Sequence, residues 1–451
     1  MRQNGVKMIE FINTYILGSL TPLFLMAAGL YFSCRLKFFY LRHPKKMISS
    51  MLEKSRGSGI SPFRAVTLAL AGTLGVGNIV GVASAIAIGG SGAIFWMWIS
   101  ALLAMMLKYA EILLAVSHRR TDPQSGEYYG GAMYYIRDFF SSHSREATGL
   151  VVAGVFCVFC IVNSLTMGCV VQINAVSRSF LGVFNVSPII IGTAGAILCF
   201  VVISGNTEKI SGFTEKTVPL MTLGYIIISM AVIIVRGDEV PSAFAEIFKN
   251  AFRFESAAGG VFGFLFSRSV RLGCMRGLMS NEAGCGTAPT AHASSTTNSA
   301  VKQGFWGIFE VFIDTIVLCT MTALVIIIGR VDGYDADPMM MTIKAYSSVL
   351  GPFAEYFICI SVLLFGFATL ICWAHYGREC IKYFTHARFA QNIFVLVFCA
   401  FVFIGALCAP ESTWGIADLA LGVMTVINVP VLCLMSGEIT EQTKSFFAKK
   451  R

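Results

Sequence analysis

Apolar residues run along this chain in blocks of about twenty, the length a helix needs to cross a hydrocarbon core. Short polar stretches close each block. Eleven blocks can be marked, at 11–33, 64–90, 92–117, 150–179, 187–204, 217–235, 258–290, 303–329, 351–377, 389–408 and 413–435. The pattern predicts an all-α integral membrane protein of about eleven transmembrane helices. None of the hydrophilic stretches is long enough to build a separate core, so activity is expected inside the membrane part. The first block has no strongly basic flank before it and no small-residue cleavage site after it, and is read as a span rather than a cleavable signal.

Two blocks break the apolar rule. In TLALAGTLGVGNIVGVASAIAIGG, Gly72, Gly75, Gly77 and Gly81 crowd mid-span beside Thr73 and Asn78; in RLGCMRGLMSNEAGCGTAPTAHA, Gly273, Gly277, Gly284, Gly286 and Pro289 surround Ser280, Asn281 and Glu282. Non-helical backbone at membrane depth survives only where it lines a cavity or is buried in protein. The plain alternative for Gly77 and Gly81 is close helix packing through a G-x-x-x-G spacing. A dinucleotide-binding reading of the first segment fails, because no strand and no acidic partner accompany it. With the first helix set aside, the remaining ten divide into two fives, each beginning with a broken helix. This predicts a 5+5 inverted repeat with one extra N-terminal helix and a site at the repeat interface. The expected divisions are 1–60 for the extra helix and a basic loop, 61–238 and 239–440 for the repeats, and 441–451 for a basic tail.

Of 451 residues, 56% are hydrophobic and 13% charged, against roughly 25% charged in a soluble domain. The net charge of +9 gathers in loops and the tail, which reads as topology and not as a nucleic-acid surface. Arg35, Lys37, Arg42, Lys45, Lys46, Lys54, Arg56 and Arg64 face only Glu53 after the first block, so that loop is expected in the cytoplasm. Alternation then places Arg119, Arg120, Arg137, Arg145 and the tail Lys449, Lys450, Arg451 inside. It places Asp332, Asp335 and Asp337, and the N-terminus, outside. Most of the fourteen cysteines lie in apolar runs and read as packing residues, Cys157 and Cys160 included, and the six histidines are scattered without a ligand cluster. No converging catalytic set is legible, and an enzyme is not expected.

The segments GTLGVGNIVGVASAI, GEYYGGAMYYI, TEKTVPLM, RGLMSNEAGCGTAPTAHA, FIDTIVLCTMTAL and FATLICWAHYGREC closely resemble the alanine/glycine:cation symporter family, from roughly residue 60 to 385. The resemblance implies a leucine-transporter-like fold in the inner membrane and sodium-coupled uptake of small neutral amino acids, alanine or glycine and D-alanine among them. It implies that amides near Val76 and Gly77, within Gly75, Val76, Gly77 and Asn78, hold the substrate carboxylate beside Thr73. Gln172 would face the substrate, Trp373 would cap the pocket, and Met279, where the family has phenylalanine, would shape it next to Ser280. Sodium would bind the carbonyls of Ala71 and Leu74 and the hydroxyl of Thr369, with Ala368 standing where the family carries a second hydroxyl. Ser91 and Ala132 replace family prolines. No other cofactor is implied, and the chain is expected as a monomer surrounded by lipid.

Residue by residue, alternatives stay open. Gln172 either faces a ligand or bridges helices; Thr369 either binds an ion or bonds back to its own helix. Asp314, mid-span, reads as a proton carrier, a cation ligand, a partner of Glu282 or a structural acceptor. Arg276 is expected to meet Glu282 or an outer vestibule. Lys108 and Glu111, three apart, read as an interfacial pair near the cytoplasmic end. Proton coupling, transport of glutamine or another neutral amino acid, a non-transporting sensor and a membrane-embedded enzyme are the competing functions.

Overall fold

Every apolar block carries a helix in the computed structural model, which describes residues 18–53, 59–123, 126–205, 207–253, 268–330, 337–408 and 411–448. The starts of the first and seventh blocks (11–17 and 258–267), Lys54 and Arg56, the acidic residues Asp332 and Asp335, and the tail from Lys449 lie outside the described residues. In chain order the helices are α1 Gly18–Arg35, α2 Pro62–Thr73, α3 Gly77–Gly89, α4 Ala93–Ser117, α5 Ala132–Ser142, α6 Glu146–Phe184, α7 Pro188–Ile203 and α8 Thr207–Val235. There follow α9 Val240–Ala251, α10 Arg268–Asn281, α11 Ala288–Ala293, α12 Ala300–Ile328, α13 Pro338–Leu350, α14 Pro352–Phe384, α15 Arg388–Leu407, α16 Glu411–Leu434 and α17 Ser436–Ala448. Two short helices, Phe39–Arg42 and Pro44–Met51, follow α1, and a two-stranded hairpin pairs Arg120 with Tyr129 and Thr121 with Tyr128. Among the described residues, α4, α6, α8, α12, α14, α15 and α16 are each long and apolar enough to cross a membrane.

Both breaks are present. α2 and α3 together make one span, bent by 51°; Ser61 caps the start of α2 by accepting the Arg64 amide, and the helix ends where Leu74 leaves helical geometry. α10 ends at Asn281, and the chain turns through Glu282, Gly284 and Gly286, with φ of 53°, 87° and 78°. Glycine suits the last two, whereas Glu282 occupies the left-handed region at an energetic cost that packing must offset.

The helices gather into two groups. In the first, α4 lies at the centre against α10, α11 and α12, and is almost wholly buried. Glycines permit that approach: a Cβ on Gly273 would fall 2.2 Å from the Ala93 carbonyl oxygen, and one on Gly277 2.4 Å from Ser100 Oγ. α6, α7, α14 and α15 form the second group. The glycine reading of the sequence is thereby redistributed. Gly273 and Gly277 are packing residues, while Gly77 and Gly81 have no neighbour within 4 Å of a built Cβ, so their spacing is not a helix contact. Among the described residues the helical ladder widens locally at three places, Gly77–Gly81 at the start of α3, Thr166–Val170 in α6 and Phe312–Cys319 in α12. Such bulges re-aim side chains at functional positions.

Candidate substrate and ion site

The first break brings four of the expected residues together. Val76 donates its amide to Gln172 Oε1 at 3.0 Å, and Thr369 Oγ1 donates to the Ala71 carbonyl at 2.9 Å. Gly75 lies between these contacts: a Cβ there would meet Thr369 Oγ1 at 2.8 Å and Gln172 Oε1 at 2.9 Å. Thr369 also reaches the Phe365 carbonyl of its own helix at 2.9 Å, so one proton is divided between two acceptors. A cation on the Ala71 carbonyl and a Thr369 lone pair would release that proton wholly to Phe365. Leu74 and Ala368 are fully buried beside this point, and Ala368 adds no oxygen. Thr73 turns away from it, its hydroxyl reaching Glu310 at 3.4 Å.

Asp314 joins the two breaks. Its Oδ1 accepts from Asn78 Nδ2 at 2.7 Å, while Oδ2 accepts from Ser280 at 2.8 Å and Thr315 at 2.7 Å. Asn78 Oδ1 is left buried without a partner. Glu282 takes no part, accepting instead from Thr287 at 2.6 Å. Of the readings left open for Asp314, a direct pairing with Glu282 is not formed, since Glu282 accepts from Thr287 while Asp314 is held by Asn78, Ser280 and Thr315.

Lys108 and Glu111 are the largest correction. Both are fully buried, and neither pairs with the other. Lys108 Nζ donates to the Asn281 carbonyl at 2.7 Å and lies 3.1 Å from Glu310 Oε1, while Glu111 Oε1 accepts the Gly286 amide at 2.9 Å and Asn428 Nδ2 at 2.6 Å. Two opposite charges one turn apart on α4 thus satisfy a carbonyl and an amide freed on either side of the second break. His292, read from sequence as scattered, joins them: its Nε2 lies 3.2 Å from Glu310 Oε2 and its Nδ1 2.8 Å from Gln303 Nε2. Gln303 accepts from Ser295 and donates to the Pro62 carbonyl, which fixes its amide. Glu310, His292 and Gln303 escaped the sequence reading. The signal that could have found them, and that misread Lys108, is an ionisable residue inside an apolar block.

A cavity of about 160 Å³ reaches the first break past Val76, Gly77, Gly81, Val171, Arg276 and Trp414, with Arg178 and Asp337 also on its wall. Arg276 lies on its wall and not against Glu282. Met279 packs with Met167 and Val171 near this opening. Trp373 does not line it: the ring fills the space left by Gly168 at the α6 bulge, where a Cβ would fall 2.2 Å from its Cγ, and meets Tyr376 edge-on at 5.5 Å. On the basic side a second cavity, of about 330 Å³, is lined by Met51, Glu53, Pro62, Thr297, Lys302 and Gln303; nearby, Arg64 pairs with Glu215 at 2.7 Å and Arg119 donates to the Ser295 and Thr297 carbonyls.

Broken spans, buried charges seated on the backbone groups the breaks free, and a cavity reaching the first break fit a multi-pass membrane secondary transporter and not an enzyme. The fold agrees. A manganese transporter from Eremococcus coleocola superposes over 89% of this chain and 92% of its own, with a TM-score of 0.54 at 13% identity, a likeness of fold alone. Residues 2–451 match the sodium:alanine symporter family, to which the chain belongs. It is 37% identical to the uncharacterized transporter YflA of Bacillus subtilis, over 98% of this chain and 94% of that one. It is 32% identical to the sodium/alanine symporter AgcS of Methanococcus maripaludis (98% and 97% covered), and 32% identical to the probable sodium/glutamine symporter GlnT of Bacillus subtilis (100% and 92% covered).

Proposed function

We propose that this transporter carries a small neutral amino acid, alanine or glycine, inward together with sodium by alternating access. The observation that carries the reading is the contiguous set of Val76 amide, Gln172 oxygen, Gly75, Thr369 hydroxyl and Ala71 carbonyl. A half-helix N-terminus favours a carboxylate, and Gln172 Oε1 holds that place as a neutral acceptor that a carboxylate can displace. Sodium prefers several uncharged oxygens, which the Ala71 and Leu74 carbonyls and Thr369 supply; with Ala368 in place of a hydroxyl, the set is one oxygen short and the affinity for sodium correspondingly weak. Asn78, Ser280 and Asp314 then link substrate binding at the first break to the position of the second. Val171 bounds the pocket beside the α-carbon with Met279 packed behind it, and Trp373 supports it from beneath.

The remaining assignments follow the same reading. The repeats span 61–238 and 239–440, the N-terminus lies outside and the C-terminus in the cytoplasm of the inner membrane, and the chain works as a monomer. The cavity beside Val76 and Arg276 then opens outward. The test is uptake of labelled alanine into proteoliposomes under an imposed sodium gradient, a pH gradient, or neither. Uptake that ignores sodium and follows pH replaces sodium by protons, with Asp314 as the carrier. Competition by unlabelled glutamine decides between the alanine and glutamine readings.

A further inference from the structure

Among the described residues, Arg276 has no carboxylate within ion-pair range. Guanidinium offers five donors, yet Nη2 reaches only Ser84 Oγ at 3.4 Å and Nη1 only the Met279 sulfur at 3.8 Å, while Nε is buried without a partner. Its face lies over the Trp414 ring, 5.3 Å from the centroid, so its hydrogen-bonding capacity stays underused. Among the described residues Asp418 is the acidic group that faces it, from beyond ion-pair range. Arg178, on the same cavity, differs in having Asp337 at 3.0 Å. A desolvated charge left unpaired is destabilising, and a planar fork with unused donors matches a carboxylate. The cavity between Arg276 and Val76 has room for several waters at 10–15 Å³ each, so a small zwitterion fits within it.

We propose that Arg276 is an outer docking subsite for the α-carboxylate of the arriving amino acid, occupied before the carboxylate moves on to the Val76 amide. The proposal rests on the reading of the chain as an amino acid transporter. A subsite on the approach path raises the rate of arrival and leaves the final equilibrium nearly untouched.

The experiment measures two quantities on purified full-length protein: equilibrium binding of labelled alanine in sodium, and kcat/KM for uptake in proteoliposomes. For Arg276→Gln, kcat/KM falls about tenfold or more while the equilibrium Kd stays within about twofold, and Arg276→Lys recovers part of the loss. A parallel fall in both quantities overturns the proposal by placing Arg276 in the central site or the scaffold, and no change in either overturns it outright. If replacing chloride by gluconate reproduces the Arg276→Gln defect in the unmodified protein, the subsite holds chloride and the proposal fails. Absence of sodium-dependent alanine binding in the unmodified protein refutes the transport reading itself, a result separable from the variant's behaviour.

Discussion

The Val76 amide donates to Gln172 Oε1 at 3.0 Å, so the first broken helix presents the N-terminus of its second half to a side chain that is an acceptor but not a charge. Substituting Gln172→Glu would put a carboxylate on that amide permanently. Equilibrium alanine binding is expected to weaken at least tenfold, about 1.4 kcal/mol, with the protein still folded. Binding unchanged in Gln172→Glu would mean that the amide is not where the substrate docks.

How much of this was legible in the sequence depends on the range over which each feature acts. Helices and breaks are local: apolar blocks fix the spans, and the glycines with Asn78 and Ser280 mark where they fail. The contacts that fill the breaks are not local. Lys108 meets Asn281 and Glu310 across 173 and 202 residues of chain, whereas its nearest charged neighbour in sequence, Glu111, invited the reading of a helix-surface pair. Gly77 and Gly81 show the converse, a spacing typical of helix contact that faces a cavity instead. Trp373 matched a motif, but only its packing against Gly168 tells which side of the pocket it supports.

Gly75 separates the proposed ion and substrate groups by less than one side chain. Gly75→Ala would place a methyl 2.8 Å from Thr369 Oγ1 and 2.9 Å from Gln172 Oε1, closer than real packing permits. Sodium-dependent alanine binding is expected to fall below detection, while Gly212→Ala, with nothing within 4 Å, binds normally. Retained binding in Gly75→Ala would separate the two sites.

Removing one partner of the buried Lys108–Glu310 pair leaves a charge without an answer. Lys108→Met is expected to destabilise the fold by about 3–5 kcal/mol, and Lys108→Met combined with Glu310→Gln to recover most of it. Thermal unfolding in detergent reads both. Equal losses in the single and double variants would show that the pair contributes through packing alone.

His118, at the end of α4 outside the spanning segment, lies 2.9 Å from Asp138 Oδ2 and 3.2 Å from Glu438 Oε2. Burial alone would lower its pKa, but the hydrogen bonds and charges of these two carboxylates outweigh that and raise it to about 9. A pKa raised above the unfolded value of about 6.5 stabilises the fold fully below that value and loses the contribution as pH climbs through 9. The midpoint of thermal unfolding is therefore expected to drop between pH 7 and 9.5, and His118→Asn to flatten that part of the curve. An identical pH profile in the variant would remove His118 from the account.

Sodium-gradient-driven accumulation of labelled alanine in proteoliposomes tests the central claim most directly, with Thr369→Ala measured beside the unmodified protein. The account predicts uptake above equilibrium only with an inward sodium gradient, and in Thr369→Ala a rise of about tenfold or more in the sodium needed for half-maximal uptake, the weight of one hydrogen-bonding ligand to a charge. Accumulation that persists without sodium, or a Thr369→Ala variant with unaltered sodium dependence, would contradict it.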